Sequence, residues 1–232
     1  MMKLKNKFIG IIVVLGVITF IGGKNPLVGL SNHKDTYLSE TSTNASANSS
    51  KYLMLVNKKN PLGLDYEPDN LVKPNVKFLR DTSDESRYMD ETAAKALEEL
   101  FQVAKSENIN LIGSSAYRSY KSQVRVLKDE ISSKGVDYAN KYVAKPGKSE
   151  HQSGLSIDVT NEARCFDKTS PEAQWLANNA HRFGFILRYP EGKEDITGYN
   201  YEPWHIRYVG KDVAKKIYEK NITLEEYLNK IG

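Results

Sequence analysis

Ser149-Glu150-His151-Gln152-Ser153-Gly154-Leu155-Ser156-Ile157-Asp158 sets a histidine and a carboxylate seven residues apart. Gly154 lies between them, where a backbone bend swings both side chains to one side. From Leu155 to Val159 the residues alternate in character, as a half-buried strand does. A second stretch, Glu202-Pro203-Trp204-His205-Ile206-Arg207-Tyr208-Val209, carries a carboxylate three residues before a histidine and predicts a strand over His205–Val209. Pro203 lacks a backbone N–H and biases its predecessor to extended geometry, which suits a strand entrance. Residues three apart on a regular strand face opposite sides, so Glu202 is expected on the rim, above any metal that His205 helps to hold and within reach of its water.

Outward from these stretches the pattern mixes helices and strands. Ala93, Leu97, Leu100, Phe101 and Ala104 repeat at helical spacing behind Asp90 as N-cap. Ile109–Ser115 reads as a strand. Tyr120, Val124, Leu127 and Ile131 mark a second helix, capped by Ser119 and closed by Gly135. A short third helix is expected over Asp137–Ala144, stopped by Pro146-Gly147. Ser170-Pro171 opens a helix that ends near Gly184. Phe185–Tyr189 is a strand candidate, as is Tyr52–Val56 near the start. Helices over Asp212–Lys220 and Leu224–Lys230 close the chain, the last with Thr223 and Glu226 as a capping box. Without a regular βαβ alternation this is an α+β fold. No glycine-rich loop precedes a helix, so nucleotide binding has no support.

Charge excludes a second class. Lys3, Lys5, Lys7 and Lys24 are the only charged residues among the first thirty, and the remaining basic residues match the 29 acidic ones one for one. A neutral body is not that of a nucleic-acid binder. The three leading lysines precede the apolar run Phe8–Ile21, the pattern of an export signal. It is short for a spanning helix, yet no small-x-small cleavage site follows it. The expected organisation is a signal peptide or signal anchor over 1–30, a Ser/Thr/Asn-rich tether over 31–50, and a folded domain over 51–232. The domain is expected to be exported, at the outer face of the cytoplasmic membrane or free in the cell envelope, touching the membrane only through its N-terminal segment. Cys165 is the only cysteine, so no internal disulfide forms.

Of four histidines, His33 falls in the tether and His181 on an amphipathic helix. His151 and His205 keep carboxylate company. Zinc takes imidazole nitrogen and carboxylate oxygen, and a catalytic zinc has three protein ligands and one water. His151, Asp158 and His205 supply that set and leave Glu202 as a general base. The competing reading makes His151 and Asp158 unrelated polar groups of a strand, and each pair alone is weak.

Ser149-x-His151-x-x-Gly154-x-x-x-Asp158 and Glu202-x-Trp204-His205-x-Arg207-Tyr208 resemble the two signature blocks of the VanY-like zinc D,D-carboxypeptidases. Ala116-Tyr117-Arg118-Ser119 with Gln123, the stretch Phe183–Pro190, and Leu55–Lys58 followed by Pro61-Leu62 are similar to further blocks of that family, in its order. Ser156 departs mildly, standing where alanine is common. The resemblance spans about Lys51–Val209. It implies a hedgehog/D,D-peptidase-like single domain with an antiparallel central sheet flanked by helices. It also implies zinc held by His151, Asp158 and His205, Glu202 as catalytic base, and Arg118 stabilising the developing oxyanion. Ser149, Gln123 and Tyr189 fall in stretches that line the substrate cleft. The implied substrate is the peptidoglycan stem peptide, losing its C-terminal D-alanine, and the expected acting form is a monomer. L,D-carboxypeptidase or endopeptidase action on the same stems is the first rival. A non-catalytic, zinc-containing wall-binding module is the second, against which Glu202 and Arg118 argue.

Overall fold

The computed structural model describes residues 51–231. The expected signal and tether lie outside the described residues, as does His33. No helix among the described residues is long and apolar enough to cross a membrane.

The described residues begin with a helical turn at Lys51–Tyr52 where a strand over Tyr52–Val56 was expected. The reason is a competing donor. The buried Arg207 guanidinium takes the carbonyls of Tyr52 and Met54 at 3.2 and 2.8 Å, so this segment's acceptors serve a side chain and not a ladder. Two short strands, β1 (Leu71–Val72) and β2 (Met89–Asp90), pair antiparallel. Helix α1 (Glu91–Ser106) follows at once, and Asp90 caps it by accepting from the amides of Thr92 and Ala93. Strand β3 (Ile112–Ser115) leads to α2 (Tyr120–Lys134), capped by Ser119, then α3 (Val136–Tyr142). A 3-10 turn over Glu150–Ser153 ends at Gly154 with φ 70° and delivers the chain into β4 (Ser156–Thr160). After α4 (Pro171–Asn179) and a 3-10 turn to Phe183 come β5 (Phe185–Leu187), the short α5 (Glu194–Thr197) and β6 (His205–Tyr208). Helices α6 (Lys211–Lys220) and α7 (Leu224–Ile231) finish the fold. Thr223 and Glu226 form the reciprocal capping box, with bonds of 2.8 and 3.1 Å.

The main sheet runs in the order β3-β4-β6-β5 and every neighbouring pair is antiparallel. This is the α+β arrangement expected, an antiparallel sheet flanked by helices. Alternation gives each central strand two different faces. Ile157 and Val159 of β4, Ile206 and Tyr208 of β6 and Phe185 of β5 join Leu97 and Leu100 of α1 and Leu176 of α4 in the core. The other face carries Asp158 and Ser156 on β4, and His205 and Arg207 on β6. Register sets Asp158 directly opposite His205, and Ser156 opposite Arg207. The apolar pattern that buries one face therefore fixes two site residues as a cross-strand pair on the other.

Candidate active site

Asp158 and His205 meet across β4 and β6, with Oδ1 2.8 Å from Nδ1. His151 arrives from the 3-10 turn before β4. Its Nδ1 lies 2.7 Å from the Ala116 carbonyl, which can only accept, so Nδ1 carries the proton and Nε2 turns to Asp158 Oδ2 at 3.4 Å. One ligand atom from each of His151, Asp158 and His205 lies within 4.8 Å of the others. The two imidazole rings stand edge to face, 4.9 Å between centroids. Two buried imidazole nitrogens and a carboxylate oxygen converging this closely fit a divalent metal of zinc's preferences.

Glu202 sits beside them, 6% exposed, and its carboxylate makes no ion pair or hydrogen bond among the described residues. It does not enter along a strand as expected. Pro203 and Trp204 form a turn in which the His205 amide donates to the Glu202 carbonyl at 3.3 Å. That turn brings Glu202 and His205 to one cleft where an extended chain would have sent them to opposite sides. Burial pushes the Glu202 carboxyl up to about 8, and the Asp158 and Glu150 charges add to it against the pull of His205. A carboxyl in that range both takes and gives a proton near neutrality. Burial opposes charge on His205 too, but hydrogen bonds to Asp158 and Glu150 prevail and raise its pKa to about 9. His151 is lowered by its burial. Asp158 is held well below the usual carboxylate range: burial opposes its charge, and the His151 and His205 contacts overcome that.

Arg118 follows β3 and faces the same cleft. Its Nη2 donates to Ser115 Oγ at 2.8 Å and its Nη1 to Gln123 Oε1 at 3.0 Å. Gln123 Nε2 in turn donates to the Ala144 carbonyl at 2.8 Å. Both ends of the Gln123 amide are thus engaged in holding Arg118, although the residue does line the cleft as expected. Ser149 and Tyr189 also line it, and the Tyr189 ring leans on His205 at 5.0 Å. The cleft holds about 180 Å³, and Tyr199, Trp204, Val126 and Glu130 of α2 and Tyr138 and Tyr142 of α3 also wall it.

Beneath the His151, Asp158 and His205 cluster lies a buried charge network that the sequence motifs did not single out. Glu150 Oε2 stands 3.4 Å from His205 Nε2, the nitrogen turned away from Asp158. Glu150 Oε1 accepts from Arg188 Nε at 2.7 Å and from Arg207 Nη1 at 2.8 Å. Arg188 makes a two-pronged pair with Glu225 of α7, at 2.7 and 2.9 Å. Asn57 Nδ2 donates to Glu225 as well, at 3.1 Å. Arg188 and Arg207 are fully buried and Glu150 is 1% exposed. The available signal was an arginine in each of the two expected strands, Phe185–Tyr189 and His205–Val209. Buried guanidinium needs carboxylate, and Glu150 stood between two residues already marked.

Comparison with known proteins agrees with this geometry. The sequence model of the VanY family, described as D-alanyl-D-alanine carboxypeptidase, matches residues 86–211. The chain belongs to the D-alanyl-D-alanine carboxypeptidase family. YodJ of Bacillus subtilis (strain 168), named as a carboxypeptidase, is 44% identical over 189 residues, 79% of this chain and 69% of YodJ. The solved structure of the LdcB LD-carboxypeptidase is similar at a TM-score of 0.72 and 43% identity, covering 78% of this chain and 87% of that one. A mutant of the vancomycin-resistance D,D-pentapeptidase VanY, solved with Zn(II), gives 0.66 and 35%, covering 77% and 99%. With the family comes the class: this VanY-family chain is an enzyme, a metallopeptidase.

Proposed function

We propose that this VanY-family protein is a zinc carboxypeptidase that removes the C-terminal D-alanine from peptidoglycan stem peptides. The observation that carries the reading is the convergence of His151, Asp158 and His205 beside a carboxyl, Glu202, that is not itself one of the three. When bound, zinc polarises the scissile carbonyl and lowers the pKa of a coordinated water towards about 7. His151 Nε2, an Asp158 oxygen and His205 Nδ1 are the atoms that would hold it. Ala116 and Glu150 fix the two rings from behind. Glu202 takes the attacking water's proton and returns it to the leaving amine. Arg118, with Ser115 and Gln123 fixing its guanidinium, supplies donors where negative charge grows on the carbonyl oxygen. Ser149 and Tyr189 contact the peptide, and the enzyme acts as a monomer.

Similarity to the LdcB LD-carboxypeptidase favours a second reading, L,D-cleavage of tetrapeptide stems. Incubation with defined tri-, tetra- and pentapeptide stems, products read by mass, decides between them. Loss of one residue from the pentapeptide alone is the expected result. Loss from the tetrapeptide alone establishes the rival. The Lys3-Lys5-Lys7 run and the apolar stretch Phe8–Ile21 support action outside the cytoplasmic membrane. Fractionation with external protease tests this, and a protease-resistant cytoplasmic pool refutes it.

A further inference from the structure

Among the described residues, Glu130 is the acidic group lining the cleft that neither the metal cluster, the base nor the buried network employs. It stands on α2 seven residues after Gln123. At 3.6 residues per turn and about 1.5 Å per residue, that is roughly two turns, or 10 Å, along nearly the same helix face. Gln123 holds Arg118 at the reacting end of the cleft, so Glu130 marks a place farther out. Val126 lies between them in sequence, and Tyr138 and Tyr142 of α3 share this part of the wall. The two tyrosine rings are 4.7 Å apart and inclined by 32°.

An ammonium already sits here. Lys134 Nζ donates to Glu130 Oε1 at 3.4 Å, stands 3.0 Å from Oε2, and lies 4.7 Å from the centre of the Tyr138 ring. The hydrogen bond to Glu130 raises the Lys134 pKa, so the group stays charged. A carboxylate beside an aromatic face is the combination that holds an alkylammonium. On an open helix surface such an i,i+4 pair is ordinary and adds little. This one differs in its place. Glu130 lines a peptide-binding cleft, and its Oε2 is closed to solvent yet accepts no hydrogen bond among the described residues. The Lys134 side chain does not line the cleft and is 47% exposed, so it can withdraw into water.

We propose that Glu130 and Tyr138 form a subsite for a side-chain ammonium of the stem peptide, on the amino-terminal side of the scissile bond, and that Lys134 is the group it displaces. The proposal rests on the stem-peptide reading of the cleft. Downstream of the bond a carboxypeptidase leaves one residue, which reaches only about 4 Å. A group about 10 Å out from Gln123 is therefore met by the upstream part of the peptide. One extended residue of about 3.5 Å and a four-carbon amine together cover that distance. This places the ammonium on the residue before the one whose carbonyl is cut, the third of a pentapeptide stem losing its last residue or the second of a tetrapeptide. Charge agrees: Arg118 is the only arginine or lysine lining the cleft among the described residues, against Glu130, Glu150, Asp158 and Glu202.

The test uses pentapeptide stems that differ only at a third-residue lysine, its side-chain amine free or acetylated, and a second pair that differ only in acetylation of the amino terminus. It reads kcat/KM of the zinc-loaded enzyme and Kd of the Glu202→Gln protein. In the wild type the free side-chain amine should be favoured about three- to fivefold, the scale of an exposed ion pair and cation–π contact. Lys134→Gln removes the competitor and should raise that ratio to about tenfold. Glu130→Gln should bring it within about twofold, with Tyr138→Leu part-way. Opposite movements in two neighbouring variants are not produced by a general loss of activity, and retained zinc shows the fold intact. An unchanged ratio in Glu130→Gln, a lowered ratio in Lys134→Gln, or equal rates for the side-chain pair in the wild type overturns the proposal. Discrimination confined to the amino-terminal pair does so too. If no stem is hydrolysed, the proposed reaction fails separately. The Kd ratio then still decides the subsite, and equal affinities refute it.

Discussion

Glu202 and Glu150 are both buried carboxylates within the same few ångströms, and their surroundings give them different work. Glu150 is saturated by two guanidinium groups and His205, so it has no freedom to move a proton. Glu202 has no such partner and faces the cleft. Glu202→Gln should therefore keep zinc near wild-type occupancy while turnover falls by at least about a hundredfold, the lower end of a general-base contribution. Metal analysis beside steady-state kinetics checks both halves. His205→Ala should lose metal and activity together. Glu150→Gln should weaken zinc by about 10–100-fold, because it loosens the ring that presents Nδ1; competition with a chromophoric chelator measures this without any turnover. Sequence alone made His151, Asp158, His205 and Glu202 legible, since each stands in a short motif whose spacing has a chemical meaning. Glu150, Arg188 and Arg207 were not, because an arginine in or just after a short strand looks the same on paper whether it faces water or a buried carboxylate.

At the scale of elements, capping chemistry was the most legible feature. Asp90 and Ser119 cap the helices that follow them, and Thr223 pairs with Glu226 as their spacing requires. Ser170 opens α4 at the expected place but makes no side-chain cap bond, and proline at the first position suffices. Two readings failed for a shared reason. The Tyr52–Val56 segment and the Glu202–His205 turn are both set by distant partners, Arg207 for the first and the Tyr189 carbonyl, which takes the Glu202 amide, for the second. Local propensity cannot register such partners. Gly154 marks the junction that places His151 against β4. A Cβ there would sit 2.9 Å from Leu71 Cδ2 and 3.2 Å from Pro68 Cγ, at a φ of 70°. Gly154→Ala should cost roughly 1–2 kcal/mol for the left-handed backbone alone, with crowding added, and a urea titration should show the lowered midpoint. Glu225→Ala leaves Arg188 buried against a single carboxylate, and should cost roughly 3–5 kcal/mol in the same titration.

Across the whole molecule, no covalent link holds the described body together. Cys165 is the only cysteine and is exposed, so reductant should leave the melting temperature unchanged. Zinc should not. At a free concentration of a hundred times its Kd, a ligand confined to the native state adds about 2.7 kcal/mol. In a body of this size that is about 5–10 °C, and calorimetry with and without chelator reads it. The overall class was legible because an antiparallel sheet with one apolar face needs only alternation to announce itself. The order β3-β4-β6-β5 was not, since strand neighbours are chosen by contacts remote in sequence. The clamp between Arg188 and Glu225 has a temporal meaning. Glu225 follows His151, Asp158 and His205 in the chain, and through Arg188 and Glu150 it backs the ring of His205. A nascent chain holds His151, Asp158 and His205 before it holds that brace. A chain cut short before Glu225 should therefore fold around a slack site that binds zinc weakly, even though it carries all three expected ligands.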